Sequence, residues 1–175
     1  MHMQNLSLEV PDIRHEAEYI KMIERWEATD EKIAPQLLSR YSGRLGKNVP
    51  YETWLAWCED DRTTGAALST GVPCTLYFLV GDSGEILGSI VLNHGNTGRG
   101  HLHAGIAPWH RGKGYGSAML KLALEKCRER GMERVEIVPY KGNARAIQTI
   151  LKNGGTLLEE FLDDGDPSLR YQILL

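Results

Sequence analysis

Between Gly105 and Leu120 the chain reads Gly-Ile-Ala-Pro-Trp-His-Arg-Gly-Lys-Gly-Tyr-Gly-Ser-Ala-Met-Leu. Glycines at 112, 114 and 116, with Arg111 before them and Lys113 between, run straight into an amphipathic helical pattern. Such a turn leaves backbone N–H groups without intrahelical partners and places the positive end of a helix dipole at the same point. Successive N–H groups there form a concave nest for phosphate oxygens. The predicted chemistry is capture of a pyrophosphate-bearing ligand by Gly112, Lys113, Gly114, Tyr115, Gly116 and Ser117, with the Arg111 and Lys113 cations at the rim.

Spacing separates this turn from two common phosphate loops. A P-loop requires glycine where Ala107 stands, and the dinucleotide pattern G-x-G-x-x-G would end on Ser117 or Met119. The remaining pattern, Arg-Gly-x-Gly-x-Gly after an Ile-x-Pro strand end, resembles the coenzyme A loop of the GNAT acyltransferase superfamily. That family's pattern is Gln or Arg, two residues, Gly, one residue, then Gly or Ala, and Arg111, Gly114 and Gly116 match it. The segment from Asn143 to Gly155 resembles the family's Asn-x-x-Ser/Ala helix, with Asn143 suited to an N-cap and Gly154 or Gly155 to the stop. Gly-His-Leu at 100–102, Asn-Gly-Gly at 153–155 and Val-Pro at 72–73 look like a bacterial subgroup of acetyltransferases with no assigned substrate.

The resemblance implies an N-acetyltransferase using acetyl-CoA as cosubstrate and no metal. An amine acceptor, either a small molecule or a protein, attacks the thioester directly. Asn143 and Ala146 flank the pantetheine and adenosine side. A backbone N–H at Ile106 or Ala107 steadies the carbonyl oxygen as charge develops. A tyrosine common in the family seven residues after the cap Asn is here Ile150, so no phenolic acid comes from that position.

At neutral pH a lysine-like amine is free base in only roughly one molecule in 10³, so a positioned base is useful. His101 and His103 share one face of an unbulged strand. His101 is the favoured base because it matches a histidine of the subgroup, and the bland alternative is a histidine hydrogen-bonded within the sheet. Tyr140, just past a strand end, is the substitute acid, against the simpler reading of a packed surface tyrosine. His110 reads best as an exposed turn residue. Trp26, Tyr51, Trp54 and Trp57 read as core before substrate cage.

These groups need a scaffold, and 175 residues at 42% hydrophobic supply one domain spanning 1–175. A net charge of −3 argues against nucleic-acid or anionic-membrane surfaces, while local positive charge at Arg111, Lys113, Lys141 and Arg145 suits a small polyanion. Three scattered cysteines predict no disulfide framework and a cytoplasmic setting. No apolar run approaches the roughly 20 residues of a membrane span, and no signal-peptide core is present.

Periodicity predicts strands at 5–10, 74–80, 86–92, 101–107, 134–138, 156–161 and 169–174. Helices are expected at 12–29, 51–61, 114–130 and 143–153, with a short helix and a loop in 30–50. The fold class is mixed α/β. The resemblance makes it the GNAT acyl-CoA N-acyltransferase fold, a central, mostly antiparallel sheet with a splayed parallel pair, 101–107 and 134–138. Many relatives dimerise, which leaves a homodimer open. Two other functions compete: an acyl-CoA-binding sensor without turnover, and a metal site built from His94, His101, His103 and His110.

Overall fold

The structure, a computed structural model, describes residues 4–41 and 49–175. It begins with β1 (Ser7–Glu9), a single 3-10 turn at Ile13–His15, α1 (Glu16–Glu27), a 3-10 segment at Gln36–Tyr41 and α2 (Tyr51–Thr63). There follow β2 (Cys74–Val80), β3 (Ile86–Asn93), β4 (Leu102–Ile106) and α3 (Tyr115–Glu129). β5 (Arg134–Ile137), α4 (Ala144–Lys152), β6 (Thr156–Asp163) and β7 (Asp166–Leu174) complete the chain. The loop expected within 30–50 falls partly on residues outside those described. Among the described residues no helix is long and apolar enough to cross a membrane.

Apolar periodicity decides which faces meet. Tyr19, Met22, Ile23 and Trp26 of α1 lie at helical spacing and pack, with Trp54 and Cys58 of α2, on one face of the first sheet. Tyr19 and Trp54 stack with ring centroids 4.4 Å apart, and Trp54 stacks in turn on Phe78 of β2. Met119, Leu120, Ala123, Leu124 and Cys127 of α3 fill the opposite face. β2 and β3, covered on both sides, are correspondingly apolar along nearly their whole length. The continuous helix expected from Asp12 is interrupted at its start. Asp12 accepts from the Arg14 N–H at 2.8 Å and donates its own N–H to His15 Nδ1 at 3.0 Å, closing a separate capped turn before α1.

The strands form two antiparallel sheets, β1-β2-β3-β4 and β5-β7-β6. α3 carries the chain from β4 to β5 as the predicted crossover does, but no parallel ladder joins those strands. They touch at one place, where the His101 N–H donates to the Glu136 carbonyl at 2.7 Å and the Glu136 N–H donates to His101 Nδ1 at 2.9 Å. His101 thus lies just ahead of β4 and ties the two sheets together.

Beyond that junction the edges stay unpaired, and the ladder register shows which groups are exposed there. Ala107 donates to Leu87 O at 3.0 Å and Asn93 donates to His101 O at 2.7 Å. Hydrogen-bonded pairs alternate along an antiparallel ladder, so His103, Gly105 and Ala107 face β3 with their backbone groups. Leu102, Ala104 and Ile106 direct theirs into the gap. The side chains divide as well: Leu102 and Ile106 pack on the α3 side, whereas Ala107 and Val91, the partner of His103, belong to the α1 side.

His101 is buried, and that burial holds its imidazole below the ordinary value of 6.5. The unfolded chain therefore takes up the proton more readily than the folded one. The stability tied to this neutral ring is complete above about pH 6.5 and is lost as pH falls through that value toward the lower folded one. His101→Ala leaves the Glu136 N–H without its acceptor and costs about 1–3 kcal/mol at about pH 7.5. Thermal melts are expected to show the deficit of the variant narrowing at about pH 5.5.

Candidate functional site

The glycine turn stands just beyond the Ile106 end of β4, where the gap is open. Gly112 and Gly114 have φ of +76° and +83°, conformations that strain any residue with a Cβ. A Cβ on either would meet nothing within 4 Å, so neither glycine is demanded by crowding at its Cβ position. No backbone N–H from Gly112 to Ser117 donates to another described residue, and the first bond of α3 into the turn is Ala118 N–H to Gly114 O at 3.2 Å. No acidic side chain occupies the first turn of α3 to compete for those donors. The result is a run of aligned, unsatisfied donors at the positive end of a 15-residue helix.

The two cations of the motif have different fates. Lys113 is exposed and has no partner among the described residues. Arg111, expected as a mobile rim charge, is held: its Nε donates to Ile106 O at 3.2 Å and its guanidinium pairs with Glu31, from the segment after α1. A carbonyl and a carboxylate already hold Nε and Nη1, so Lys113 is the cation of the motif without a partner among the described residues.

The other residues of the turn are fixed by their side chains and contribute backbone. The Tyr115 hydroxyl accepts from Gln4 Nε2 at 2.9 Å, turning its ring toward the chain start. Ser117 Oγ accepts from Asn153 Nδ2 at 3.2 Å, stitching α3 to the end of α4. A Cβ on Gly116 would lie 3.8 Å from Ile106 Cγ1 and 3.7 Å from Thr149 Oγ1, so the strand end, the turn and α4 converge there. Asn143 caps α4, its Oδ1 accepting the Ala146 N–H at 3.2 Å. Ala146, half-buried, begins the helix face that leads back toward Thr149.

Several sequence expectations change here. The Ala107 N–H, a candidate oxyanion donor, is spent on Leu87 O, whereas the Ile106 N–H faces the gap and the Ala104 N–H, missed in the motif, faces it too. His101 sits at the closed end of the gap, about 17 Å along β4 from the turn. The Nδ1 lone pair that would take a proton is occupied by the Glu136 N–H, so the ring is the neutral Nε2–H tautomer. Its position is that of the sheet-bonded histidine, not of a base. His110, expected exposed, is buried with Nε2 3.1 Å from Glu85 Oε1. Tyr140 is 55% exposed in an open cleft with Lys141, Gly142, Asp166 and Pro167, and its hydroxyl has no partner among the described residues.

Ile150 is buried in the α3-side core against Gly155, so its side chain serves packing. Trp26, Tyr51 and Trp54 are core, as read, while Trp57 is half-buried beneath Arg40. The Cys58, Cys74 and Cys127 thiols are buried and pushed up to about 12, about 11 and about 11, which leaves them protonated and unreactive. Glu31 and Asn153 hold the turn in place. Asn153 sits in a quoted motif, whereas nothing in the local sequence marks Glu31.

Sequence and fold comparisons agree with this geometry. The acetyltransferase (GNAT) family model matches residues 24–154. A GnaT-family acetyltransferase from Bordetella pertussis superposes with a TM-score of 0.61 at 19% identity, covering 98% of this chain and 97% of that one. The acetyltransferase yncA from Salmonella typhimurium, solved with its cofactor acetyl-CoA, gives a TM-score of 0.62 at 16% identity over 97% of this chain and 94% of its own. A nourseothricin acetyltransferase is 29% identical over 58% of this chain; the match spans 65% of that protein at a TM-score of 0.49, too partial to carry an argument. No curated protein sequence matches. With a family match over well more than half its length, and the glycine turn and split sheet in place, the chain belongs to the GNAT acetyltransferase family.

Proposed function

We propose that this protein is an N-acetyltransferase that moves an acetyl group from acetyl-CoA to a primary amine on a small molecule or a protein. The observation that carries the reading is the unsatisfied run of N–H groups from Gly112 to Ser117 at the open end of the β4–β5 gap. Acetyl-CoA, when bound, supplies an activated carbonyl and a thiolate leaving group.

The chain's own residues fit such a ligand in three ways. Amides 112–117 and the Lys113 ammonium would hold its diphosphate. The backbone groups of Leu102 and Ala104, with the Ile106 N–H, would pair with the amides of its arm, as they would with an added strand. The Ala104 and Ile106 N–H groups, turned into the gap by the ladder to β3, would offer donors to a carbonyl oxygen gathering charge there. Such a donor is worth about 2.7–4 kcal/mol of barrier in comparable sites. The half-buried Ala146 and the Asn143 cap would flank the ligand on the α4 side. Tyr140, exposed beyond β5 and with no partner for its hydroxyl among the described residues, would be the group to protonate the departing sulfur. A thiol with pKa near 8.5 also leaves as the thiolate, so turnover does not depend on that proton.

Isothermal titration with CoA, with thiol release from acetyl-CoA measured across a panel of amines, tests the reading. No binding at millimolar CoA would remove it. Gly114→Asp places a carboxylate in the cradle, and repulsion from a diphosphate about 4 Å away is of order 4 kcal/mol per charge pair. CoA affinity should fall by about 100-fold or more. Gly114→Asn, which shares the shape and tolerates a left-handed backbone, should retain most of it, so the contrast isolates charge from strain. Lys113→Ala is expected to weaken CoA binding several-fold in dilute buffer, a difference that shrinks at high salt because the ammonium is exposed.

A further inference from the structure

His15, His94, His101 and His110 each have a ring nitrogen bonded to the protein: to Asp12 and Glu9, to Thr75, to the Glu136 N–H and to Glu85. His103 is the exception among the described histidines. It is half-buried in the middle of β4, and neither ring nitrogen has a partner among the described residues. Its ring nitrogens are not among the buried atoms left without a partner, so they remain open to solvent or to a bound molecule beside the split between the two sheets.

Its place on the strand favours a bound molecule. The ring projects to the α1 side, since Val91 opposite it belongs to the α1-side core, and the next residue, Ala104, aims its N–H into the gap. A thioester carbonyl held in the sheet plane by that N–H is attacked from above or below the plane. α3 and its apolar side chains fill one side. The nucleophile is left with the other, onto which His103 projects. Two residues along the same face, a Cβ on Gly105 would come within 2.1 Å of the Ala34 carbonyl, so the segment following α1 forms the wall beside the ring.

We propose that His103 is the general base of acetyl transfer, taking a proton from the acceptor amine. The proposal rests on the acetyltransferase reading above. The amine nitrogen bonds to the thioester carbonyl carbon and the C–S bond breaks. The amine proton passes to the His103 ring and on to solvent, and the thiolate is protonated by solvent or by Tyr140. Burial holds the ring below the ordinary imidazole value, with Arg99 acting in the same direction, so the ring is neutral at pH 7 and able to accept.

The charges around it are few. Arg99 of the β3–β4 loop is itself paired with Asp163 and Asp164. Glu136 of β5 is bonded by Asn96 Nδ2, and Glu31 beyond Gly105 is paired with Arg111. His101 precedes His103 on its own strand, and β3 presents only the uncharged Ser89, Val91 and Asn93 on that face.

The experiment follows thiol release from acetyl-CoA against pH, using the best acceptor among lysine amide, phenylalaninamide, tyramine and spermidine, with CoA affinity measured in parallel. In the parent protein kcat/KM should fall on the acid side with a single midpoint below about 6.5. His103→Gln should remove that limb and lower kcat by about 10²–10⁴-fold while leaving CoA affinity unchanged. His103→Ala should be partly rescued by added imidazole, which a purely structural role would not permit. His101→Gln should keep the acid limb. An unaltered rate and profile in His103→Gln, a limb that disappears with His101 instead, or no thiol release with any of these amines from protein that binds CoA would each overturn the assignment. Failure of the parent protein to bind CoA would strike the acetyltransferase reading itself.

Discussion

The structure depends on a sheet that stops pairing. β4 and β5 meet through the main chain and ring of His101 against Glu136, and then run on with their facing edges unpaired. An open strand edge is ordinarily a liability, because its donors and acceptors invite any other strand to pair with them. Here the covered parts of both sheets are closed conventionally: β1 caps β2, and β7 is flanked by β5 and β6. The outer edges of β1 and β6 are also open, but among the described residues only at the β4–β5 gap do two strand edges diverge from a shared junction. A slot lined by fixed N–H and C=O groups binds an extended, amide-bearing chain at little cost in reorganisation, since its donors are held by ladders on their far sides.

Position along the chain then links the slot to the anion cradle. β4 ends at Ile106, a short turn follows, and α3 starts at Tyr115 directly beyond the slot. Because α3 must return the chain to β5, its apolar stripe of Met119, Leu120, Ala123, Leu124 and Cys127 has to lie across the first sheet. That packing fixes the helix axis and aims its positive end at the open mouth. Glu31 and Ile106 O steady Arg111, and Asn153 steadies Ser117, so the turn is anchored on both flanks while its amides stay free. Slot and cradle are two ends of one connection, which is why a ligand with a diphosphate and an extended arm fits both.

The parts legible from sequence are those set by local rules. Alternation and helical spacing place most elements within a residue or two, and β2 is placed to the residue at both ends, because apolar runs of that length have few other uses. The glycine motif gives the turn because positive φ at 112 and 114 requires glycine. What the sequence does not show is decided by pairing between distant residues. Nothing near His101 announces that the Glu136 N–H, 35 positions on, will occupy its Nδ1. Nothing near Arg111 announces Glu31, 80 positions earlier. Parity is the subtler case. Whether Ala107 or Ala104 offers its N–H to the slot depends on the register with β3, and a one-residue slip would exchange them. Motif matching picks out the neighbourhood; the ladder picks out the atom.

Commitment of hydrogen bonds separates scaffold from chemistry across the molecule. Arg40 and Asp61 are buried as an ion pair, the His15 ring is held by Asp12 and Glu9, and Asn143 spends its oxygen on a helix cap. Each of these pairings offsets desolvation within the protein, although Arg40 Nε stays buried without a partner, and removing one member would strand the other. Trp26 Nε1, Arg40 Nε and Arg62 Nη1 are buried without a partner away from the slot, but among the described residues one path gathers several open groups: the amides of 112–117, the Lys113 ammonium, the slot-facing N–H groups of Ile106 and Ala104, and the ring of His103. Folding alone gives no reason for these groups to stay open in sequence along a single strand and turn. The pattern is accounted for when the missing partners belong to a bound molecule that runs the length of the path, with its anionic end at the turn and its reacting end beside His103.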